Sequence, residues 1–341
     1  KKKKKKIEVM GVGGELMEST KFKSWIPLKS FDAIGIYEVF SRIFKFYKIF
    51  KLIEKKIRKY NPDIVITIDS PSFNYRLARN LQDIRNNTKF VHYVAPTVWA
   101  WKSYRAKIFS RLYDFMFTLF KFEPQYFTKH GLKTIFVGHQ IFFKKEKLRI
   151  KKKKICFLPG SRSQEIKNNL KKLKTIIKKS IEKYKGYEFY ILTFNEDSLK
   201  IKDILGDTKI KIITDFKKKQ KILSESYLAI AASGSVTLEL SKYLTPMIVI
   251  YNTHFFTRII IKLFVRVKFA TILNIFFDKE IIPEFIFEKF TDRNVLKKID
   301  ELININKQRN KQIYYLKKFS DEMIINNKNP SEILLDYIIR N

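Results

Sequence analysis

Thr67-Ile68-Asp69-Ser70-Pro71-Ser72-Phe73-Asn74-Tyr75 ends one kind of sequence and begins another. Just before it, Ile64, Val65, Ile66 and Ile68 make a short, β-branched apolar run. Asn61-Pro62-Asp63 bounds the run in front and Asp69-Ser70-Pro71 behind. That pattern reads as a buried strand of a parallel sheet in an α/β fold. An acidic residue at the carboxyl end of such a strand points into the crevice where open α/β sheets bind ligands. Asp69 is therefore placed to act as a base. The plainer reading makes it a cap for a helix beginning near Phe73, and the stretch alone leaves both open.

Downstream, Phe90-Val91-His92-Tyr93-Val94 gives another strand, followed by Ala95-Pro96-Thr97-Val98-Trp99-Ala100-Trp101-Lys102. Two of the three tryptophans, Trp99 and Trp101, fall in this loop, where they either pack or line an acceptor pocket. Asp114 to Phe120 reads as a strand, Glu123-Pro124 opens a short helix, and Thr134 to Val137 leads into Gly138-His139. Upstream, residues 38–60 form the clearest amphipathic helix. Val39, Ile43, Phe46, Phe50, Ile53 and Ile57 recur at helical spacing, and Phe40, Phe44 and Tyr47 widen the face. Eight Lys and Arg residues crowd the other side. Such a helix either faces a core or lies on a membrane, its aromatic face in the headgroup region and its lysines on anionic lipid.

The first six residues are lysine, and Ile7 to Gly14 then reads as a strand running into a Gly-rich loop. The glycine spacing is not a dinucleotide fingerprint. There is no initiating methionine, so the expectation is that the natural N-terminus lies upstream. From Phe142 to Lys154 the chain is polar and lysine-rich, which reads as a linker. Alternation then restarts: a strand at Ile155–Leu158, a helix from about Gln164 to Tyr184, strands at 187–192, 209–213, 227–231 and 247–251, and a helical tail. Two βα arrays joined by a basic linker predict two Rossmann-like domains facing across a cleft. Their expected limits are 1–147 and 148–325, with 326–341 a C-terminal helix that could return to the first domain.

Composition narrows the partners. The 341 residues carry 70 Lys plus Arg against 33 Asp plus Glu, a formal charge of +37, with 45% hydrophobic content. This is a globular chain with material for two cores. Nucleic acid is the reflex partner for such a surplus, but the excess is spread along the chain and no nucleic-acid-binding module accompanies it. An anionic membrane surface or a phosphorylated substrate fits equally well. Cys156, the lone cysteine, reads as a small buried hydrophobe in a strand. No uninterrupted apolar stretch of about 18 residues is present to span a membrane. There is also no Asp-x-Asp cluster to carry a metal.

Two further junctions carry chemistry. Pro159-Gly160-Ser161-Arg162-Ser163-Gln164 lies where a strand gives way to a helix. Gly160 permits a tight turn, helix amides face outward and Arg162 adds bidentate donors, which suits a diphosphate. A capping box of Ser161 with Gln164 fits the same spacing. Ala232-Ser233-Gly234-Ser235-Val236-Thr237-Leu238-Glu239 is the second junction. There, small residues let amides approach phosphate, and the Glu239 carboxylate can accept from ribose hydroxyls.

These segments together resemble the lipid-A-disaccharide synthase family, inverting glycosyltransferases of the GT-B fold. The resemblance runs from Gly11 to about Glu284 and is carried by Gly11–Met17, Gly35-Ile36-Tyr37-Glu38, Thr67–Asn74, His92–Trp101, Phe122-Glu123-Pro124 and Val137-Gly138-His139. Pro159–Ile166, Ser233–Glu239, Asn274 and Pro283-Glu284-Phe285 continue it in the second half. It implies transfer of a diacylglucosamine unit from UDP-diacylglucosamine to the 6-hydroxyl of diacylglucosamine 1-phosphate, giving a β-1,6 disaccharide 1-phosphate and UDP in lipopolysaccharide biosynthesis. Asp69 matches the family's general base and Arg162 the arginine at the donor diphosphate. Gly160, Ser161, Ser233, Gly234, Ser235, Thr237, Glu239, Asn274 and Glu284 fall on the donor side. Gly13, Gly14, Phe73, Asn74, Trp99, Trp101, Phe44 and Tyr47 fall on the acceptor or lipid side. The resemblance further implies no cofactor or metal, a peripheral position on the cytoplasmic membrane face, and leaves a homo-oligomer open. Two departures stand out: the family's leading strand and Gly-Glu-x-Ser-Gly-Asp loop are absent, and Phe287 replaces a usual glutamine. Competing expectations are another GT-B UDP-sugar enzyme, an N-acetylglucosaminyltransferase or epimerase, and a basic membrane- or nucleic-acid-binding protein without catalysis.

Overall fold

The β-branched runs form strands, and the strands fall into two sheets. The computed structural model describes residues 7–20, 22–27, 39–143, 149–253, 258–259, 263–265 and 267–340. Gly35–Glu38, one of the matching segments, lies outside them. Contacts divide the chain into two compact units, one of residues 1–96, 104–117 and 126–135, the other of 97–103, 118–125 and 136–341.

In the first sheet β1 (Ile64–Ile68), β2 (Lys89–Tyr93), β3 (Phe115–Thr118) and β4 (Lys133–Phe136) lie side by side in chain order. The β1–β2 and β2–β3 pairs are parallel, with Ile64 opposite Lys89 and Val91 opposite Phe115. β1 is the edge strand of this described sheet, which corrects the expectation of a strand buried throughout. Val65 and Thr67 are buried, whereas Ile66 and Ile68 remain 45% and 56% exposed. Phe90, Val91, Met116 and Phe117 fill the interior with Leu77, Ala78 and Phe109 from the helices Pro71–Asn80 and Arg105–Leu112. Residues 7–10 form no strand; Gly11 makes only an isolated bridge to Ser24 before a short helix, Glu15–Glu18.

The helix Val39–Tyr60 buries Phe50, Ile53 and Ile57, while Phe46 and Tyr47 stay 42% and 58% exposed. The side chain of Phe44 lies outside the described part. Phe73 packs edge-on against both Phe46 and Phe50, at 5.5 and 5.3 Å, and so joins this helix to Pro71–Asn80.

The second sheet is six-stranded and parallel in the order β10-β9-β8-β5-β6-β7. Its strands are β5 (Lys152–Leu158), β6 (Glu188–Leu192), β7 (Lys211–Ile213), β8 (Ser226–Ala232), β9 (Met247–Tyr251) and β10 (Glu284–Ile286). β5 begins three residues before the expected Ile155, inside the stretch read as linker. Glu225 makes this possible, because its carboxylate takes Arg149, Lys152 and Lys154, the last at 2.7 Å. Central strands β8 and β9 are almost wholly buried, as strands covered on both faces should be. Cys156 is fully buried, and burial pushes its thiol up to about 11, which leaves it inert. Among the described residues no helix is long and apolar enough to cross a membrane.

Candidate functional site

At the carboxyl ends of β5, β6 and β8 a cavity of about 220 Å³ opens. Its polar wall comes from the two expected junctions: Gly160 and Ser161 after β5, then Ser233, Gly234, Ser235 and Glu239 after β8. Leu158, Leu192 and Leu223 form the apolar floor.

The first loop is set by Gly160. Its φ of +140° lies where a side chain is rarely tolerated, and Glu165 Oε2 is 2.6 Å from where a Cβ would stand. The Glu165 carboxylate accepts from the Ser161 amide at 3.1 Å. The expected capping box is therefore not formed. The helix Ser163–Lys183 has Arg162 at its N-cap, and Gln164 instead reaches Asn168 at 3.1 Å. Arg162 is exposed, one residue beyond the lining, and its charge acts on Tyr251.

Around the second loop, Ser233 Oγ donates to Ala270 O at 3.0 Å. Glu239 is partly buried, and desolvation raises its carboxyl above the ordinary range against the pull of Lys219 and Lys242. Thr237 does not line the cavity; it is buried with its hydroxyl on Gly234 O at 2.8 Å.

Two residues expected on the donor side are hydrogen-bonded within the loop beside the cavity. Asn274 is fully buried; its amide donates to Ile282 O and Glu284 Oε1, and its oxygen accepts from the amides of Ile281 and Ile282. Glu284 accepts from the Ala270 and Thr271 amides at 2.8 and 2.9 Å and from the Thr271 hydroxyl at 2.6 Å. Asn274 is wholly engaged, whereas Oε2 of the half-buried Glu284 takes only the Ala270 amide among the described residues; together they fix the loop whose Ala270 carbonyl orients Ser233. Phe287, at the glutamine position, is buried against Tyr251 with its ring under the Arg258 guanidinium.

Other cavity residues had no place in the sequence reading: Thr193 and Phe194 after β6, and Phe216, Lys219 and Gln220 on the helix after β7. Phe194 and Phe216 are 50% and 69% exposed, unusual for such rings. Lys219 lies 4.5 Å from the Phe194 ring centroid and donates to Thr193 O. The signal was available, since the rings sit two and three residues past a strand's carboxyl end.

In the first unit, Asp69 is exposed at the end of β1 with φ +49°, and Ser70 follows at +43°. The helix starts at Pro71 with Ser70 as its N-cap and no side-chain capping bond, so Asp69 is not a cap. The Asn74 amide donates to the carbonyls of Ile68 and Asp69, at 3.2 and 2.6 Å. Gly13, buried, donates to Ser24 Oγ at 3.0 Å, and a Cβ there would meet Met17 Sδ at 2.6 Å; Gly14 opens the next helix. Trp99 and Trp101 group with the second unit. Trp99 Nε1 donates to Glu123 Oε1 at 3.2 Å, and the half-exposed Trp101 carries Lys102 over its ring at 4.2 Å. Glu123 also accepts from the Leu119 and Phe120 amides, yet burial pushes it up to about 7.

Two Rossmann-like units with a cavity at the strand ends define a GT-B protein, the fold of two-domain glycosyltransferases and sugar-nucleotide epimerases. The chain is similar to the UDP-GlcNAc 2-epimerase of Neisseria meningitidis solved with UDP-GlcNAc, at TM-score 0.63 and 13% identity, covering 96% of this chain and 88% of that one. It is also similar to the Methanocaldococcus jannaschii UDP-GlcNAc 2-epimerase, solved with UDP-GlcNAc and UDP, at TM-score 0.54 and 16% identity over 84% and 80%. These likenesses are of fold. In sequence, the model of the lipid-A-disaccharide synthetase family matches residues 1–337. The lipid-A-disaccharide synthase of Rickettsia bellii is 34% identical over 333 residues, 94% of this chain and 87% of that protein. That of Rickettsia prowazekii is 33% identical over 341 residues, 96% and 90% respectively. The chain belongs to the lipid-A-disaccharide synthase family, glycosyltransferases of lipid A biosynthesis.

Proposed function

We propose that the protein transfers a diacylglucosamine unit, with inversion, from UDP-diacylglucosamine to the 6-hydroxyl of diacylglucosamine 1-phosphate. The observation that carries this reading is the single cavity that unites Gly160–Ser161 with Ser233–Ser235 and Glu239. In it the diphosphate meets the small residues and hydroxyls of the second loop and takes the Ser161 amide from Glu165, Arg162 neutralises charge on departing UDP, and Glu239 accepts from the ribose. The apolar end, with Phe194 and Phe216, takes the flat uracil. Asp69 removes the acceptor proton as the hydroxyl attacks the anomeric carbon opposite the leaving diphosphate.

The exposed Phe46 and Tyr47, on a helix rich in lysine, suit contact with an anionic lipid surface. The protein accordingly works as a peripheral protein of the inner face of the cytoplasmic membrane. UDP release with both acylated substrates tests the reaction. Acceptor-dependent release lost in Asp69→Ala and Arg162→Ala is expected; release independent of acceptor, or untouched in Asp69→Ala, would overturn it.

A further inference from the structure

Beneath the Asp69 turn runs a chain of buried polar groups that the transfer chemistry leaves unused. His92 Nδ1 lies 2.7 Å from Thr67 Oγ1. The Thr67 hydroxyl donates to Tyr113 Oη at 3.1 Å, and the Tyr113 hydroxyl donates to Asn74 O at 3.0 Å. Thr67 Oγ1 also has Val91 O within reach at 3.3 Å, so the hydroxyl has three partners around it. The Asn74 side chain then donates to Ile68 O and Asp69 O, so the chain ends on the turn itself. Thr67, Asn74, His92 and Tyr113 are all buried, and Phe109 stacks on Tyr113 with ring centroids 5.4 Å apart.

The backbone the chain supports is strained. Asp69 and Ser70 have positive φ, and Val94, at the end of the neighbouring strand, has φ +73°. A β-branched residue there is a genuine outlier. The Asp69 amide donates to Tyr93 O at 2.9 Å, so the turns ending β1 and β2 are tied together. Such conformations persist only where their surroundings over-determine them, and they gather at functional sites. Packing alone does not account for the chain, because among the described residues His92 Nε2 is buried without a partner at hydrogen-bond geometry, a cost an apolar side chain would avoid. Burial holds the imidazole neutral, its pKa depressed to about 3.

We propose that Thr67, His92, Tyr113 and Asn74 form a positioning unit that holds the Asp69 turn, and with it the carboxylate, in the attitude needed to accept the acceptor proton. This rests on Asp69 as the base. Tyr113 fixes the Asn74 carbonyl and so the first turn of the helix, Asn74 fixes the Ile68 and Asp69 carbonyls, and Thr67 ties both to the strand.

Tyr113→Phe and Thr67→Val each remove one hydroxyl and keep the volume. In the two-substrate assay each is expected to lower kcat by roughly tenfold, since small displacements of a reacting group are costly. KM for donor and acceptor stays within about twofold, because no binding group is lost. Thr67→Ser restores kcat. In an Asp69→Ala background Tyr113→Phe causes no further loss, as residues acting as one unit are non-additive. Unchanged kcat in both hydroxyl variants, KM rising with kcat intact, or equal losses with and without Asp69 would overturn the positioning unit. Full activity in Asp69→Ala would instead remove the base assignment.

Discussion

Glu165 folds its carboxylate back onto Gly160, so that Oε2 stands 2.6 Å from the position of a Cβ at residue 160 while accepting the Ser161 amide. The loop therefore depends on glycine twice, for its φ of +140° and for the space. Gly160→Ala should cost about 1–3 kcal/mol. The melting temperature is expected to fall by several degrees, and UDP affinity, read by titration calorimetry, by about tenfold or more as the loop amides turn away. An alanine variant that binds UDP normally would show that this loop is not the diphosphate site.

Glu284 acts at one remove from the cavity. Its carboxylate satisfies the Ala270 and Thr271 amides, and the Ala270 carbonyl accepts the Ser233 hydroxyl. Glu284→Ala leaves the buried Thr271 amide unpaired and should cost about 2–3 kcal/mol by urea unfolding. Ser233→Ala, in contrast, should leave stability within about 0.5 kcal/mol. Equal stability losses in the two variants would break the proposed order of dependence.

How much of this was legible in the sequence follows from the range of the interactions involved. β9 was readable to the residue because its apolar run is bounded locally. The start of β5 was hidden because Lys152 and Lys154 find their counter-charge in Glu225, some seventy positions away. The Ser161–Gln164 capping box was good local chemistry, but Glu165 takes the amide first. Asn274 and Glu284 carry ligand-like side chains, and nothing local announces that loop amides engage them. A lone Phe after a strand reads as core, as Phe194 and Phe216 do; only the fold shows both rings open to one cavity.

Those two rings give a prediction that separates base from diphosphate. Stacking of a base on an aromatic ring is worth about 1–3 kcal/mol, roughly 5- to 100-fold in affinity. Phe216→Ala should weaken UDP within that range and leave inorganic pyrophosphate binding unchanged. Phe194→Ala should do less, because Lys219 already covers part of that ring. Parallel loss of UDP and pyrophosphate would place the rings in the architecture of the loop, not at the base.

Tyr47 offers a test of the lipid surface that spares the core. It is 58% exposed, whereas Phe50, Ile53 and Ile57 of the same helix hold the interior. Tyr47→Ser should reduce sedimentation with phosphatidylglycerol-containing vesicles several-fold at constant melting temperature, since an interfacial aromatic is lost. Raising salt should weaken the remaining binding through the lysines. Binding equal to wild type would exclude this end of the helix from the contact.

Glu123 makes stability depend on pH in the direction opposite to most carboxylates. Burial raises it from 4.5 to about 7, so between these values the folded protein keeps a proton that the unfolded chain releases. Stability from this group is therefore complete below about pH 4.5 and is lost as pH rises through 7, by at most about 3 kcal/mol. His92 and His139, depressed by burial to about 3 and 4, act with the other sign below 6.5, because the unfolded chain takes up their protons first. The whole protein thus shows a muted profile, and only a comparison isolates the carboxyl. Relative to Glu123→Gln, the wild type should gain melting temperature on going from pH 7.5 to 5.0. A constant difference between the two would mean that Glu123 stays ionised, held by Trp99 and the Leu119 and Phe120 amides against the cost of burial.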